Sequence, residues 1–321
     1  GRLPGGARVM IGRDTRRSGP MLEGALAAGL ASAGADAVLL GVIPPPAVAE
    51  LVAAGDAAAG AVISASHNPF ADNGIKLFGP DGFKLADAAE AEVEAALEAD
   101  GERPEGAELG AIVPWEGGRA DYVASMLRRC PVALSETTIV IDCANGATAV
   151  TAPEIFERLG ARVTLIGAEP DGVNINDGCG STDLAMLGEV VRATGADLGV
   201  AFDGDGDRAL AVDASGTTVD GDQILAICAL DLRARGQLPG DAVVTTTMTN
   251  LGFRRAMVGA GIEVRWTDVG DRYVLEEMRR GGFVLGGEQS GHLINLAHGP
   301  SGDGVAAALH LLGALGRRGE D

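Results

Sequence analysis

Three short polar loops, each following an apolar run, hold the residues of this chain whose types and spacing could do chemistry. The first is Ser64-Ala65-Ser66-His67-Asn68-Pro69, after Gly60 to Ile63, with Asp72-Asn73-Gly74-Ile75-Lys76 close behind. A hydroxyl at the carboxyl end of a parallel strand sits where open α/β sheets place their ligands, so Ser66 is the candidate to carry a transferred group. The plain alternative is an ordinary turn rich in Ser, Asn and Pro. Ser66 and His67 adjoin, but a serine hydrolase is disfavoured: the GxSxG elbow is missing, and triads draw on residues distant in sequence. Lys76 and Lys84 are the only lysines in the chain. Lysine can shift its pKa and pass a proton where arginine cannot, which favours a chemical role for this segment.

The second loop, Asp203-Gly204-Asp205-Gly206-Asp207-Arg208, follows Leu198 to Phe202. Three carboxylates at alternate positions on a glycine-rich turn can converge on one hard cation, and without a cation they repel. An EF-hand is excluded, because its sixth position would be Arg208 rather than Gly and its twelfth Ala214 rather than Glu. Three carboxylates also leave room on Mg²⁺ for a phosphate oxygen. The third loop, Gly286-Gly287-Glu288-Gln289-Ser290-Gly291-His292, follows an expected strand from Phe283 to Leu285. Glu288, Gln289 and Ser290 suit sugar hydroxyls or an amine, and His292 could move a proton. His298 and His310 stand outside any constellation and read as bystanders.

The charge balance narrows the ligands. With 45 acidic and 25 basic residues the chain carries a formal charge of −20, which excludes nucleic acid as a partner, since that binding needs basic residues to displace counterions. Any phosphate site must be a local island of positive charge. The four cysteines are scattered and form no CxxC pair, so they read as small apolar residues rather than zinc ligands or a disulfide framework. Val38 to Val48 is broken by Gly41 and Pro44-Pro45-Pro46, and no run approaches a membrane span or a secretory leader, so a cytoplasmic protein with no membrane partner is expected.

A length of 321 residues suits two or three domains. One grammar occurs three times: strand, polar turn, helix, strand. The first unit runs from Val9-Met10-Ile11 through a helix with Leu22, Leu26 and Leu30 to Val38-Leu39-Leu40. In the second, Thr138 to Asp142 leads through Ala152 to Leu159 to Arg162 to Ile166. The third runs from Val243 to Thr246, through a helix ending near Val258, to Glu263 to Thr267. Ala33-Gly34-Ala35, Leu159-Gly160-Ala161 and Gly259-Ala260-Gly261 precede the return strands, where a left-handed glycine lets the chain turn back. This order predicts three consecutive, similar α/β domains with mixed, largely parallel sheets and an active site in the cleft between them. The expected boundaries are 1–115, 116–220 and 221–321, the first within the stretch from Gly101 to Trp115.

Together the three loops resemble those of the α-D-phosphohexomutase family, and the resemblance runs nearly end to end. Supporting stretches are Ile11 to Leu22, Asp142 to Thr148, Gly167 to Thr182 and Val219 to Leu225. The resemblance implies a small-molecule phosphosugar substrate, with glucosamine 6-phosphate converted to glucosamine 1-phosphate; the alternatives are mannose or glucose phosphates, or a non-catalytic module that binds phosphosugars. Gln289 favours the amino sugar, because the glucose and mannose members carry Met or Glu there. It further implies that Ser66 is phosphorylated and that a hexose bisphosphate, here glucosamine 1,6-bisphosphate, is the intermediate. Asp203, Asp205 and Asp207 would hold Mg²⁺ together with the phosphoserine, Lys76 and His292 would transfer protons, and Glu288 and Ser290 would contact the sugar. His67 and Arg208 join the catalytic set, and Arg13 and Arg272 are further candidate cations for substrate phosphate. Two departures lie outside the main loops: Pro45, where threonine is usual between prolines, and Asp183, where histidine often follows Ser-Thr. The family pattern places a Thr-Asp-Gly-Ile-Arg-Gly segment before Gly1 and a fourth, phosphate-binding domain after Asp321, so the chain is expected to be a fragment of low activity by itself. A homodimer is among the options left open.

Overall fold

The three expected units are each the start of a larger repeated pattern. The computed structural model describes residues 6–97 and 104–319, so the expected first boundary lies partly outside the described residues. The first part contains β1 (Arg8–Arg13), α1 (Gly19–Ser32), β2 (Asp36–Val42), α2 (Pro45–Ala54), β3 (Ala59–Ile63), β4 (Ile75–Phe78), α3 (Asp87–Leu97) and β5 (Ile112–Pro114). The second contains α4 (Gly118–Arg129), β6 (Thr138–Asp142), α5 (Ala152–Arg158), β7 (Arg162–Ile166), α6 (Ala185–Thr194), β8 (Leu198–Phe202), β9 (Ala209–Asp213) and β10 (Thr218–Val219). The third contains α7 (Gly221–Ala234), β11 (Ala242–Thr246), α8 (Leu251–Gly259), β12 (Glu263–Thr267), α9 (Asp271–Gly281), β13 (Leu285–Gly287), β14 (Leu293–Asn295) and α10 (Gly304–Arg318).

The sheets share one core order. It reads β2-β1-β3-β4 in the first, β7-β6-β8-β9 in the second and β12-β11-β13-β14 in the third, with β5 and β10 added at edges. In each, the first three strands pair in parallel and the fourth returns antiparallel. The three chemical loops therefore occupy one topological position: the connection from the last parallel strand to the antiparallel strand. Gly34, Gly160 and Gly261 have φ of +85°, +100° and +68°, the left-handed conformation their positions require. One expected strand moves. Gly282 is left-handed and the Phe283 N–H bonds back to the Met278 carbonyl, closing α9, so β13 starts at Leu285 rather than Phe283.

Each sheet buries a private cluster on one face. Leu22, Leu26 and Leu30 of α1 pack with Ile11 and Ile63, Leu187 and Val191 of α6 with Val140 and Ala201, and Val274 and Met278 of α9 with Val244 and Ile294. The other faces meet in one continuous core drawn from all three parts. α10 is its axis: every residue from Gly304 to Ala314 is buried, as expected of a helix that is apolar all round. Asp303 starts this helix. Its carboxylate caps the Ala306 N–H at 3.0 Å and accepts the buried Tyr122 hydroxyl at 3.0 Å, tying α10 to α4. Among the described residues no helix is long and apolar enough to cross a membrane.

Asp303→Ala removes a cap and orphans a buried hydroxyl, so it is expected to lower stability by about 2–4 kcal/mol in urea unfolding. Adding Tyr122→Phe to it should recover part of that loss, because the hydroxyl left without a partner is gone; strict additivity of the two changes would contradict the shared hydrogen bond.

Candidate active site

Ser66 sits in a left-handed conformation, φ +49°, uncommon for a residue with a side chain and a sign that its surroundings fix it. Its N–H donates to Ser64 Oγ at 3.0 Å, and Ser64 Oγ donates to Asp14 at 2.7 Å and reaches Asp205 at 3.2 Å. The Ser66 hydroxyl crosses to the second sheet and donates to Asp203 Oδ2 at 2.6 Å, with His67 Nδ1 at 3.4 Å.

The aspartate loop is set by its glycines. A Cβ on Gly204 would lie 2.7 Å from the Ser66 carbonyl oxygen and from Asn176 Nδ2, and Gly206 has φ +77°. Asp203 Oδ1 accepts the Gly206 and Arg208 N–H groups, both at 3.1 Å, which curls the loop. The three carboxylates are buried, with one oxygen of each within 4.8 Å of the others. Burial, then the charges of Asp207 and Asp205, push Asp203 well above the usual carboxylate range. Burial acts the same way on Asp207, yet Lys76 and then His292 outweigh it and hold that group well below its ordinary value. Asp205 Oδ1 and Asp207 Oδ1 are buried with no hydrogen-bond partner. An all-oxygen donor set with unsatisfied buried lone pairs fits a hard divalent cation.

Lys76, on β4, reaches this triad. Its Nζ lies 2.7 Å from Asp205 Oδ2 and 3.4 Å from Asp207 Oδ2. Burial alone would pull the ammonium down, but those two carboxylates raise its pKa above the ordinary lysine value. From the third part, His292 places Nδ1 3.5 Å from Asp207 and Nε2 3.7 Å from Asp271. Asp271 also pairs with Lys84. The Glu288 carboxylate accepts the Gly270 N–H at 3.1 Å, and Ser290 Oγ is buried without a partner. The backbone joins the parts as well: Ala209 N–H donates to the Gly291 carbonyl at 3.1 Å and Gly304 N–H to the Gly206 carbonyl at 3.0 Å.

A cleft of about 430 Å³ opens between the three parts, lined by Ser66, His67, Lys76, Asp207, Arg208, Glu288, Gln289, Ser290 and His292. Arg13 is not brought to it; its guanidinium pairs with Glu23 at 3.1 Å. Arg272 pairs with Glu276 at 2.9 Å and lines an adjoining hollow of about 300 Å³ that shares Lys76, Lys84, Asp271 and His292 with the cleft.

Similarity to known proteins now has a geometry to attach to. Models of the phosphoglucomutase/phosphomannomutase alpha/beta/alpha domains I, II and III match residues 2–104, 120–216 and 220–321. A phosphoglucosamine mutase of Mycolicibacterium paratuberculosis is 51% identical over 99% of this chain and 72% of its own length. One from Renibacterium salmoninarum is 53% identical over 97% of the chain and 69% of its own length. The chain belongs to the phosphoglucomutase/phosphomannomutase family. Among solved structures, a family protein from Burkholderia thailandensis superposes with a TM-score of 0.85 at 28% identity, covering 98% of this chain and 70% of that one.

Within this family framework, the largest fully buried side chain is a cation that motif reading passed over. Arg16 is 0% exposed, and its Nε bonds Asp14 Oδ2 at 2.8 Å. Its fork then donates to the carbonyls of Ser66 at 3.0 Å, Asn68 at 2.8 Å, Asp72 at 3.0 Å and Pro69. Asn176, from the second part, donates to the Ser66 and Asn68 carbonyls at 2.9 and 3.0 Å. These groups bind backbone, which leaves a weak sequence signal; the one available was Asp14-Thr15-Arg16 closing an apolar strand.

Arg16→Met leaves buried Asp14 without its counter-charge and the Asp72 carbonyl without its donor, while the Ser66, Asn68 and Pro69 carbonyls each lose one of two donors, so it is expected to cost roughly 3–5 kcal/mol in chemical denaturation. Arg16→Lys should recover only part, because an ammonium lacks the planar fork. Mg²⁺ at a hundredfold excess over its Kd should stabilise the protein by about 2.7 kcal/mol. Thermal melts of Asp205→Asn should show that gain largely lost; an unchanged gain would remove Asp205 from the metal set.

Proposed function

We propose that the cleft interconverts glucosamine 6-phosphate and glucosamine 1-phosphate through a phosphorylated Ser66 and a hexose bisphosphate. The observation that carries this reading is the 2.6 Å contact between the Ser66 hydroxyl and Asp203, which sets the one candidate phosphoryl carrier against a triad fitted to a hard cation. Relatives more than half identical over nearly the whole chain are named phosphoglucosamine mutases.

In the forward half-reaction the free sugar hydroxyl attacks the phosphorus on Ser66. A new O–P bond forms, the P–Oγ bond breaks, and the hydroxyl proton passes to a base. The bisphosphate then presents its other phosphoryl group, which returns to Ser66 Oγ and leaves the isomeric monophosphate. Mg²⁺ held by Asp203, Asp205 and Asp207 would neutralise charge spreading over the phosphoryl oxygens. Lys76 is our choice for the proton at the Ser66 side. Its ammonium stays charged because it faces Asp205 and Asp207, and any cation that claims those carboxylates weakens that hold. His292 serves the opposite wall of the cleft, oriented between Asp207 and Asp271. Arg208 and His67 flank the phosphoryl position, and Glu288, Gln289 and Ser290 face the sugar.

Intact-protein mass spectrometry is expected to show one added phosphoryl mass that disappears in Ser66→Ala; its persistence in that variant would exclude Ser66 as carrier. Lys76→Arg keeps the charge but not the proton transfer, so kcat should fall about 10²- to 10⁴-fold with metal affinity near that of the wild type. Assays with glucosamine, mannose and glucose phosphates should favour glucosamine; a preference for mannose or glucose would assign the cleft to phosphomannomutase or phosphoglucomutase chemistry.

A further inference from the structure

We propose that a second hollow, behind the C-terminal ends of α4, α7 and α10, binds a small organic anion bearing two or more phosphate charges. It has a volume of about 520 Å³ and shares no lining residue with the catalytic cleft. Its wall contains Arg128, Arg129, Arg235, Arg317, His298 and His310 and not one carboxylate. In a chain of net charge −20, four guanidiniums around one hollow form the local positive island that an anion requires.

The carboxylates behind the wall do not cancel this charge. Asp231 is buried and takes two 2.8 Å bonds from Arg317 and one of 3.2 Å from Arg235, while Glu50 takes Arg129. Asp303 is occupied by Tyr122 and by its helix cap. With all three ionised the four guanidiniums exceed these carboxylates by one charge, that of exposed Arg128, and Asp231 holds the Arg235 and Arg317 forks at the edge of the hollow. Arg129 Nε is buried without a hydrogen-bond partner, and Nε2 of His310, a residue only 8% exposed, has no hydrogen bond but lies 3.6 Å from Asp231 Oδ2. Burial first, and then the neighbouring arginines, hold His298 down to about 4. Burial followed by His298 does the same for His310. Leu232, Leu309 and Val284 supply an apolar floor. The floor and the volume suit an organic phosphate rather than a bare phosphate ion. Arginine forks suit phosphate oxygens in pairs.

Calorimetric titration with ADP, in EDTA and with saturating glucosamine 6-phosphate in the cleft, tests this. One ADP is expected per chain, with an affinity that falls as salt is raised and exceeds that of pyrophosphate. The double variant Arg128→Ala/Arg235→Ala should lose about tenfold or more in affinity while keeping the circular dichroism spectrum and cooperative melt of the wild type, which show that it is folded. Should that variant not fold, exposed Arg128 replaced alone serves the same comparison. No binding, displacement by the sugar phosphate, equal affinity in the variant, or ADP no tighter than pyrophosphate would each overturn the proposal. The proposed function fails separately, if glucosamine 6-phosphate does not bind; the comparison of wild type with variant still decides this site.

Discussion

Burying three carboxylates with oxygens inside 4.8 Å of one another is the constraint on which the rest of this structure depends. Like charges that close in a low-dielectric setting repel by several kcal/mol, so the chain must supply compensation from every side. It does so with one basic side chain from each flank. Lys76 comes from the first sheet, Arg208 follows the triad itself, and His292 comes from the third part. The asymmetry between Asp203, pushed up, and Asp207, held down, follows from where those basic side chains stand. The side facing Ser66 is the less compensated one, and there the serine hydroxyl donates.

The serine opposite the triad is held so that it does not swing away. Arg16 and Asn176 grip the carbonyls of its loop from two different parts of the chain, and Ser64 links its N–H to Asp14 and Asp205. The aspartate loop and the serine loop are thus parts of one hydrogen-bonded unit, with Gly204 absent any side chain so that the two backbones can meet. Charge buried at Arg16 and Asp14 costs desolvation, and it is offset by the 2.8 Å bond between the two side chains, by the Arg16 N–H on the other Asp14 oxygen and by the carbonyls that accept from the guanidinium.

Most of this was legible because the chemistry lies in contiguous loops. Ser66, Asp203, Asp205, Asp207 and His292 stand in short motifs, and the threefold strand and helix grammar placed each motif after a strand. What escaped has a common cause. Arg16 and Asn176 act on backbone atoms far away in sequence, and Asp271 meets His292 and Lys84 only once the third part is folded against the first. Arg13 failed in the opposite sense: it stands beside Arg16 in a charged segment, and only packing shows that Glu23 takes it. The late start of β13 was hidden because Phe283 and Val284 are as apolar as a strand, while Gly282 ends the helix with a turn that carries them out of the sheet.

The repeated sheet order explains why three chemically different loops converge. In each part the loop joins the last parallel strand to the antiparallel one, so it leaves the same end of its sheet. With the inner faces packed on one core around α10, the parts are fixed in relation to one another. Two backbone bonds, from Ala209 to Gly291 and from Gly304 to Gly206, then pin the loops together at the top of that core. A serine, a carboxylate triad and the loop from Glu288 to His292 converge from separate copies of one unit because the unit aims that connection at a common point. Small residues on α10 serve the same arrangement: a Cβ on Gly304 would lie 2.5 Å from the Arg208 carbonyl oxygen, so only glycine lets the start of that helix meet the aspartate loop.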